Sequence, residues 1–190
     1  MAGRLKSKLP ELAVEGVSVM LAVLLALAAD SWREDRANRQ LAALARASVL
    51  EEVRGNLAEL EDTREDHVSL LERLVRDIDE LDAGGTSAEV GFSFALISSA
   101  AWQTAQVTRA TQFTDFEWVR RMALLYGAQE LYEDSQAAVV DLVAAIRGRD
   151  PGEVARRLEA VAARVQIVLD LQEGLMDAYR AALEDAPASD

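Results

Sequence analysis

From Leu12 to Asp82 the chain contains no proline, and only Gly16 and Gly55 depart from side-chain-bearing residues. Proline ends a helix interior by removing a hydrogen bond and clashing with the preceding turn. An isolated glycine is tolerated there. The whole chain has three prolines and ten glycines against an apolar fraction of 51%. That composition excludes a disordered chain and predicts an all-α fold.

The first part of this stretch is set apart by its apolar run. Leu12–Ala29 carries one charge, Glu15. As a helix it is about 27 Å long, close to the roughly 30 Å apolar thickness of a bilayer. Trp32 follows at the far end, where an amphipathic ring anchors at the headgroup level. The pattern predicts a basic leader over residues 1–11 and a transmembrane helix over 12–29 that continues into the body. Two other readings compete. Residues 1–10 make a basic n-region and Ala26-Leu27-Ala28 offers a small-x-small cleavage site, as in a signal peptide. The uncharged residues 16–29 also suit a core helix of a soluble domain.

An acid at the bilayer centre costs roughly 2.5–3.5 kcal/mol and less near an interface. Glu15 lies about one turn inside the near end, so it reaches back to the headgroups or Lys8, or faces a neighbouring copy. Ser18, Ala22 and Ala26 recur every four residues on one face and would let helices approach closely. Arg4, Lys6 and Lys8 precede the run and Arg33, Arg36 and Arg39 follow it, so base count alone is nearly even. The short basic leader favours a cytoplasmic amino terminus and a periplasmic body.

The body, residues 30–186, reads as four helices at about 30–82, 93–109, 115–147 and 151–185, with a disordered tail over 187–190. In the first, Leu50, Val53, Leu57, Leu60, Leu71, Leu74, Ile78 and Leu81 recur at alternating steps of three and four. Arg64 and His67 fill the intervening seam positions, and Leu41 and Leu44 imply a register slip near 45–49. Gly84-Gly85 ends this helix. Phe94, Ile97, Ala101, Thr104 and Thr108 share a helical face. Thr114-x-x-Glu117 reads as a capping box, and Asp150-Pro151-Gly152-Glu153 as a restart signal. Met122, Leu125, Gln129, Tyr132, Gln136, Val139, Val143 and Ile146 form one stripe. Val154, Leu158, Val161, Val165, Val168, Leu175 and Tyr179 form another, interrupted by Gln172. Short connections predict an antiparallel four-helix bundle.

Charge and chemistry narrow the function classes. The formal charge is −13, and residues 30–190 hold 17 bases against 31 acids. Nucleic acid and anionic lipid need a basic face, so an acidic body argues against both as ligands. The chain has no cysteine, which excludes disulfides, thiol catalysis and thiolate metal sites. Its one histidine, His67, is read as a packed seam residue. The carboxylates, including Glu51-Glu52 and Glu59, read as a solvated face paired with arginines. No phosphate loop, nucleophile elbow or Glu-x-x-His pair is present. No catalytic residue, metal or cofactor is expected. The one polar-aromatic concentration comprises Trp102, Thr104, Thr108, Tyr126, Gln129 and Tyr132, which could meet inside the bundle as a register-fixing core layer or as a pocket between helices.

Glu15-Gly16, VMLAVLLALAAD and Ser31-Trp32-Arg33-Glu34-x-Arg36 together resemble the opening of an uncharacterised family of bacterial single-pass membrane proteins. LARASVLEEVRGNLAELE with Asn56, AAWQTAQVTRATQF and ALLYGAQELY are similar to later segments of that family, so the resemblance covers most of 15–132. Arg33 stands where some relatives carry a second aromatic. The resemblance implies membrane anchoring and a helical body, and no activity. The expectation is a non-enzymatic, membrane-anchored helical scaffold or interaction protein of the bacterial inner membrane. Its expected partners are the bilayer, further copies of itself, and another membrane or periplasmic protein. Its rivals are a ligand-sensing bundle coupled to its span, set against a ten-residue leader with no output domain, and a secreted helical chaperone or binding protein after signal cleavage.

Overall fold

The computed structural model describes residues 9–85, 90–146 and 150–184, and the side chains among them from residue 17 onward, Pro151 excepted. Residues 1–8 of the leader, the side chain of Glu15, and the tail at 187–190 lie outside the described residues. Among those described there are four α-helices and no strand. They are α1 (Leu9–Asp82), α2 (Ala100–Val107), α3 (Phe116–Ala144) and α4 (Pro151–Glu184), with a 3-10 turn at Ala110–Phe113 between α2 and α3.

The expected seam of α1 holds in six of its ten positions, Leu50 among them. Val53, Leu60, His67, Leu74 and Leu81 are buried, and these residues are seven apart. Their companions are Val49, Asn56 and Leu70, with Thr63 half-buried between. The expected companions Leu57, Leu71 and Ile78 are half-buried, and Arg64 is exposed. Two of the true companions are polar, so an apolar count steps past them. With Ala42 buried as well, the row runs evenly from 42 to 49 and needs no register slip; Leu44 is exposed.

α3 and α4 follow their sequence patterns closely. Met122, Leu125, Gln129, Tyr132, Gln136 and Val139 are buried in one line, and Val143 and Ile146 at its end are half-buried. In α4, Leu158, Val161, Val165, Val168, Gln172, Leu175 and Tyr179 are all buried. The cap of α3 falls one residue later than expected. Asp115, not Thr114, accepts from the Trp118 N–H at 2.9 Å, while the Thr114 hydroxyl donates back to the Ala110 carbonyl. Asp150 caps α4 through the Glu153 N–H at 3.0 Å, as a side-chain acceptor ahead of Pro151 should.

The second leg of the bundle corrects the expectation. Residues 93–109 are not one helix: 90–99 lie in no helix or strand, and only Ala100–Val107 is α-helical. The leg runs back along α1, from the level of His67 at Ser93 to that of Glu52 at Ala101. α3 then runs parallel to α1, and α4 returns antiparallel to both, pairing Asn56 with Tyr179 and His67 with Gln172. The chain thus goes up, down, up and down around one core, but its second leg is mostly an extended strand of backbone.

Residues 17–37 of α1 are exposed throughout. The helix leaves the bundle at about residue 41 and extends roughly 50 Å beyond it. The core-helix reading of the apolar run is therefore overturned among the described residues, where Val17, Met20, Leu21, Leu24 and Leu27 are 54–65% exposed. Among the described residues no helix is long and apolar enough to cross a membrane. The expected span at 12–29 includes five residues, 12–16, whose side chains lie outside that set.

Candidate functional site

The extended leg raises an accounting question. A buried backbone N–H or C=O must find a partner, and a single extended segment has no neighbouring strand to supply one. Here side chains of the helices take that place. Asn56 pairs with both groups of Ser98: its Nδ2 donates to the carbonyl at 2.7 Å and its Oδ1 accepts from the N–H at 2.8 Å. Gln136 on α3 does the same to Ala95, accepting from its N–H at 3.0 Å and donating to its carbonyl at 3.4 Å. Glu59 accepts from the Leu96 N–H at 2.9 Å. His67 meets the Ser93 carbonyl at 2.7 Å.

Where the leg becomes helix, Glu52 takes over. Ser99, the N-cap of α2, makes no side-chain cap bond. The Glu52 carboxylate reaches across from α1 instead, accepting from the N–H groups of Ala101 at 2.8 Å and Trp102 at 3.3 Å. It also accepts from the hydroxyls of Ser98 at 2.8 Å and Tyr126 at 2.7 Å. An acid is well placed at the positive end of a helix. Burial pushes the Glu52 carboxyl up, but the Ala101 N–H, the Tyr126 and Ser98 hydroxyls and the Trp102 N–H outweigh it and hold it below the usual carboxylate range. The same contact acts on the partner: burial first, and then the hydrogen bond to Glu52, raise the Tyr126 phenol far above its ordinary value.

Around this carboxylate the aromatic residues pack. Trp102 stacks flat on Tyr126 with centroids 5.5 Å apart, and meets Trp118 edge-on at 6.3 Å. Arg46 lies over the Trp118 ring at 5.5 Å, as a cation on a ring face does. One layer deeper, Gln129 accepts from the Tyr179 hydroxyl at 2.7 Å and donates to Glu133 at 2.9 Å.

The expected cluster is therefore brought together in part. Trp102, Tyr126 and Gln129 meet and line a groove of about 390 Å³ between α2 and α3, with Gln103, Glu130 and Glu133 at its rim. Tyr132 is fully buried below it, its hydroxyl without a partner among the described residues. Thr104 and Thr108 do not join. They are exposed, their hydroxyls return to the Ala100 and Thr104 carbonyls, and they line a different groove with Leu41 and Ala45. A helix of eight residues has one inward face, and Trp102 and Ala105 occupy it.

Sequence reasoning missed Glu52 and Glu59, which it placed on a solvated face. The usable signal lay in Asn56, Gln136 and Gln172, polar residues in apolar rows. Of the membrane-helix residues, Ser18, Ala22 and Ala26 are exposed on one face of α1. Trp32 is exposed too, with Arg36 over its ring at 5.8 Å. Among the described residues no group of three or more acids or histidines is placed to hold a metal ion.

These features define an all-α bundle with an extended leg clamped by side chains and a helical stalk beyond it. No family model, curated protein or solved structure matches the chain.

Proposed function

We propose that the chain is a membrane-anchored helical scaffold of the bacterial inner membrane, acting as an oligomer through its stalk and presenting the bundle on the periplasmic side. The observation that carries this reading is the run of large apolar side chains from Val17 to Leu27, exposed on the same helix that forms the bundle core. Apolar surface of that extent needs a cover. A bilayer meets all sides of a helix at once, and Trp32 beyond the run suits its interface. The resemblance of Glu15-Gly16 and Ser31-Trp32-Arg33-Glu34 to a family of single-pass proteins points the same way. Ser18, Ala22 and Ala26 supply the face through which copies would pack, with Glu15 one turn earlier.

Fractionation tests the anchor. The full-length chain should sediment with membranes and resist carbonate extraction, and a chain lacking residues 1–29 should be released. A native mass lacking residues 1–28 would overturn the anchor in favour of a cleaved signal and a secreted binding protein. Reporter fusions at both termini test orientation, and a cytoplasmic carboxy terminus would reverse it.

A second reading draws on the groove beside Trp102 and Tyr126. A ligand held there would touch α2 and α3, and through Glu52 would act on α1, the helix that carries the stalk. Thermal shifts against a panel of small metabolites test this sensing role, and no shift across the panel would favour the scaffold.

A further inference from the structure

A second groove, of about 310 Å³, opens between α3 and α4. Its lining runs along α3 from Trp118 to Ala128, about 15 Å of helix. The opposite wall, on α4, is made of Ala178, Ala181 and Ala182. These side chains are too short to cover the facing helix, where Leu124 is 63% exposed. The result is a long, narrow apolar slot.

The hydrogen-bonding side chains on this slot are Trp118 and Arg121, and both can only donate. The Trp118 Nε1–H is buried with no partner among the described residues, a costly state for a donor. The Arg121 guanidinium has five N–H donors and can serve more than one acceptor. Arg46 lies over the Trp118 ring at 5.5 Å, and its Nε is likewise buried without a partner among the described residues. The two acids beside Trp118 in sequence are engaged elsewhere. Asp115 accepts from the Trp118 backbone N–H at 2.9 Å, and Glu117 pairs with Arg120 at 2.9 Å. Arg46 and Arg121 therefore bring positive charge to the Trp118 end, in a chain whose net charge is −13.

We propose that this groove binds a monocarboxylic acid with an unbranched alkyl chain. The chain lies between Leu124 and Leu125 on one side and the three alanines on the other. The carboxylate sits at the Trp118 end and accepts from Arg121. Each part of the ligand answers one feature of the slot. The apolar walls reward every methylene removed from water, and the narrowness admits one chain. The donors at the end call for an acceptor, and a carboxylate takes two parallel N–H bonds from a guanidinium. An amphiphile with a cationic head is repelled by the same end. The occupant touches α3 and α4 and lies against Trp118, which carries Arg46 of α1. It thus bears on all three long helices at the end where the stalk leaves, and its binding does not depend on what covers the stalk.

The test uses the full-length chain in phosphatidylcholine nanodiscs, labelled with nitrogen-15 at tryptophan. The three tryptophans give three indole signals, and Trp118→Phe identifies the one from Trp118. Octanoate at pH 7 should move that signal to saturation. Hexanoate should need about tenfold more, the effect of two fewer buried methylenes. Octanol, with the same chain and no charge, should bind about tenfold more weakly than octanoate. Ala181 is exposed, so Ala181→Phe fills the slot from outside the core and should abolish the shift with an unchanged circular dichroism spectrum. Ala178→Leu serves the same purpose if that spectrum changes. Arg121→Gln should weaken octanoate about tenfold and leave octanol unaffected. A Trp118 signal that octanoate does not move, or moves equally in the filled variant, would overturn the site. Octanol binding as tightly as octanoate, or octanoate binding undiminished in Arg121→Gln, would overturn the carboxylate.

Discussion

Replacing Glu52 by glutamine changes one oxygen into an amide nitrogen and little else, yet it should cost the bundle a large share of its stability. The carboxylate accepts four hydrogen bonds, two on each oxygen: Ala101 N–H and the Ser98 hydroxyl on one, Trp102 N–H and the Tyr126 hydroxyl on the other. An amide nitrogen cannot accept. Whichever way the substituted side chain turns, one pair of donors faces an N–H₂ group. Ser98 or Tyr126 can rotate its hydroxyl to accept, but the N–H of Ala101 or Trp102 cannot. Hydrogen bonds to a charged acceptor contribute about 1.5–3 kcal/mol each when buried. Glu52 is only half-buried, and water can replace part of the loss, so Glu52→Gln should cost about 2–3 kcal/mol. Urea unfolding of the full-length chain in detergent would show this as a lower midpoint at unchanged slope. The acid limb sharpens the test. The folded carboxyl is held below its ordinary range, so its contribution is present above the unfolded value, about pH 4.3, and is lost as pH falls through the folded value. Glu52→Gln should remove that dependence. A loss below about 0.5 kcal/mol, the usual size of an inert surface change, would refute the cap and return Glu52 to the solvated face.

Three further outcomes follow from the same packing. Asn56→Ala leaves the Ser98 N–H short of a partner and its carbonyl with only the Gln129 Nε2 donor at 3.2 Å, and should cost about 1–3 kcal/mol in urea unfolding, more than any exposed asparagine would. The chain's three tyrosines, Tyr126, Tyr132 and Tyr179, are all buried, and burial foremost raises each phenol well above its ordinary value. Ultraviolet titration should therefore show no tyrosinate in the folded protein as pH passes about 10. It should appear together with unfolding, because a raised value stabilises the fold below the unfolded one and is lost above it. Gly55→Ala places a methyl where nothing lies within 4 Å, inside a helix, and should raise stability by about 0.5–1 kcal/mol.

The long helices were legible because their rules are local. An uninterrupted run of helix formers, an apolar row every three or four residues and an acid-proline start are read along the chain, and α1, α3 and α4 obey them. Asp115 instead of Thr114 at the start of α3 is a slip within the same rule. The apolar run was legible as a run, but that its helix stands clear of the bundle was not, because the same uncharged stretch also suits a core helix.

The second leg could not be read that way. Phe94, Ile97, Ala101, Thr104 and Thr108 fit a helical face, yet 90–99 is extended because residues 20 to 50 positions away satisfy its backbone. Asn56, Glu59, His67 and Gln136 give the segment what an adjacent strand would have given. Pairing of this kind has no period in the sequence, so Glu52 and Glu59 looked like any other exposed acids. Helix formation is set by neighbours four residues apart, and this chain declares it openly. Whether a polar side chain lies in solvent or across another segment's backbone depends on contacts that exist only once the helices have packed.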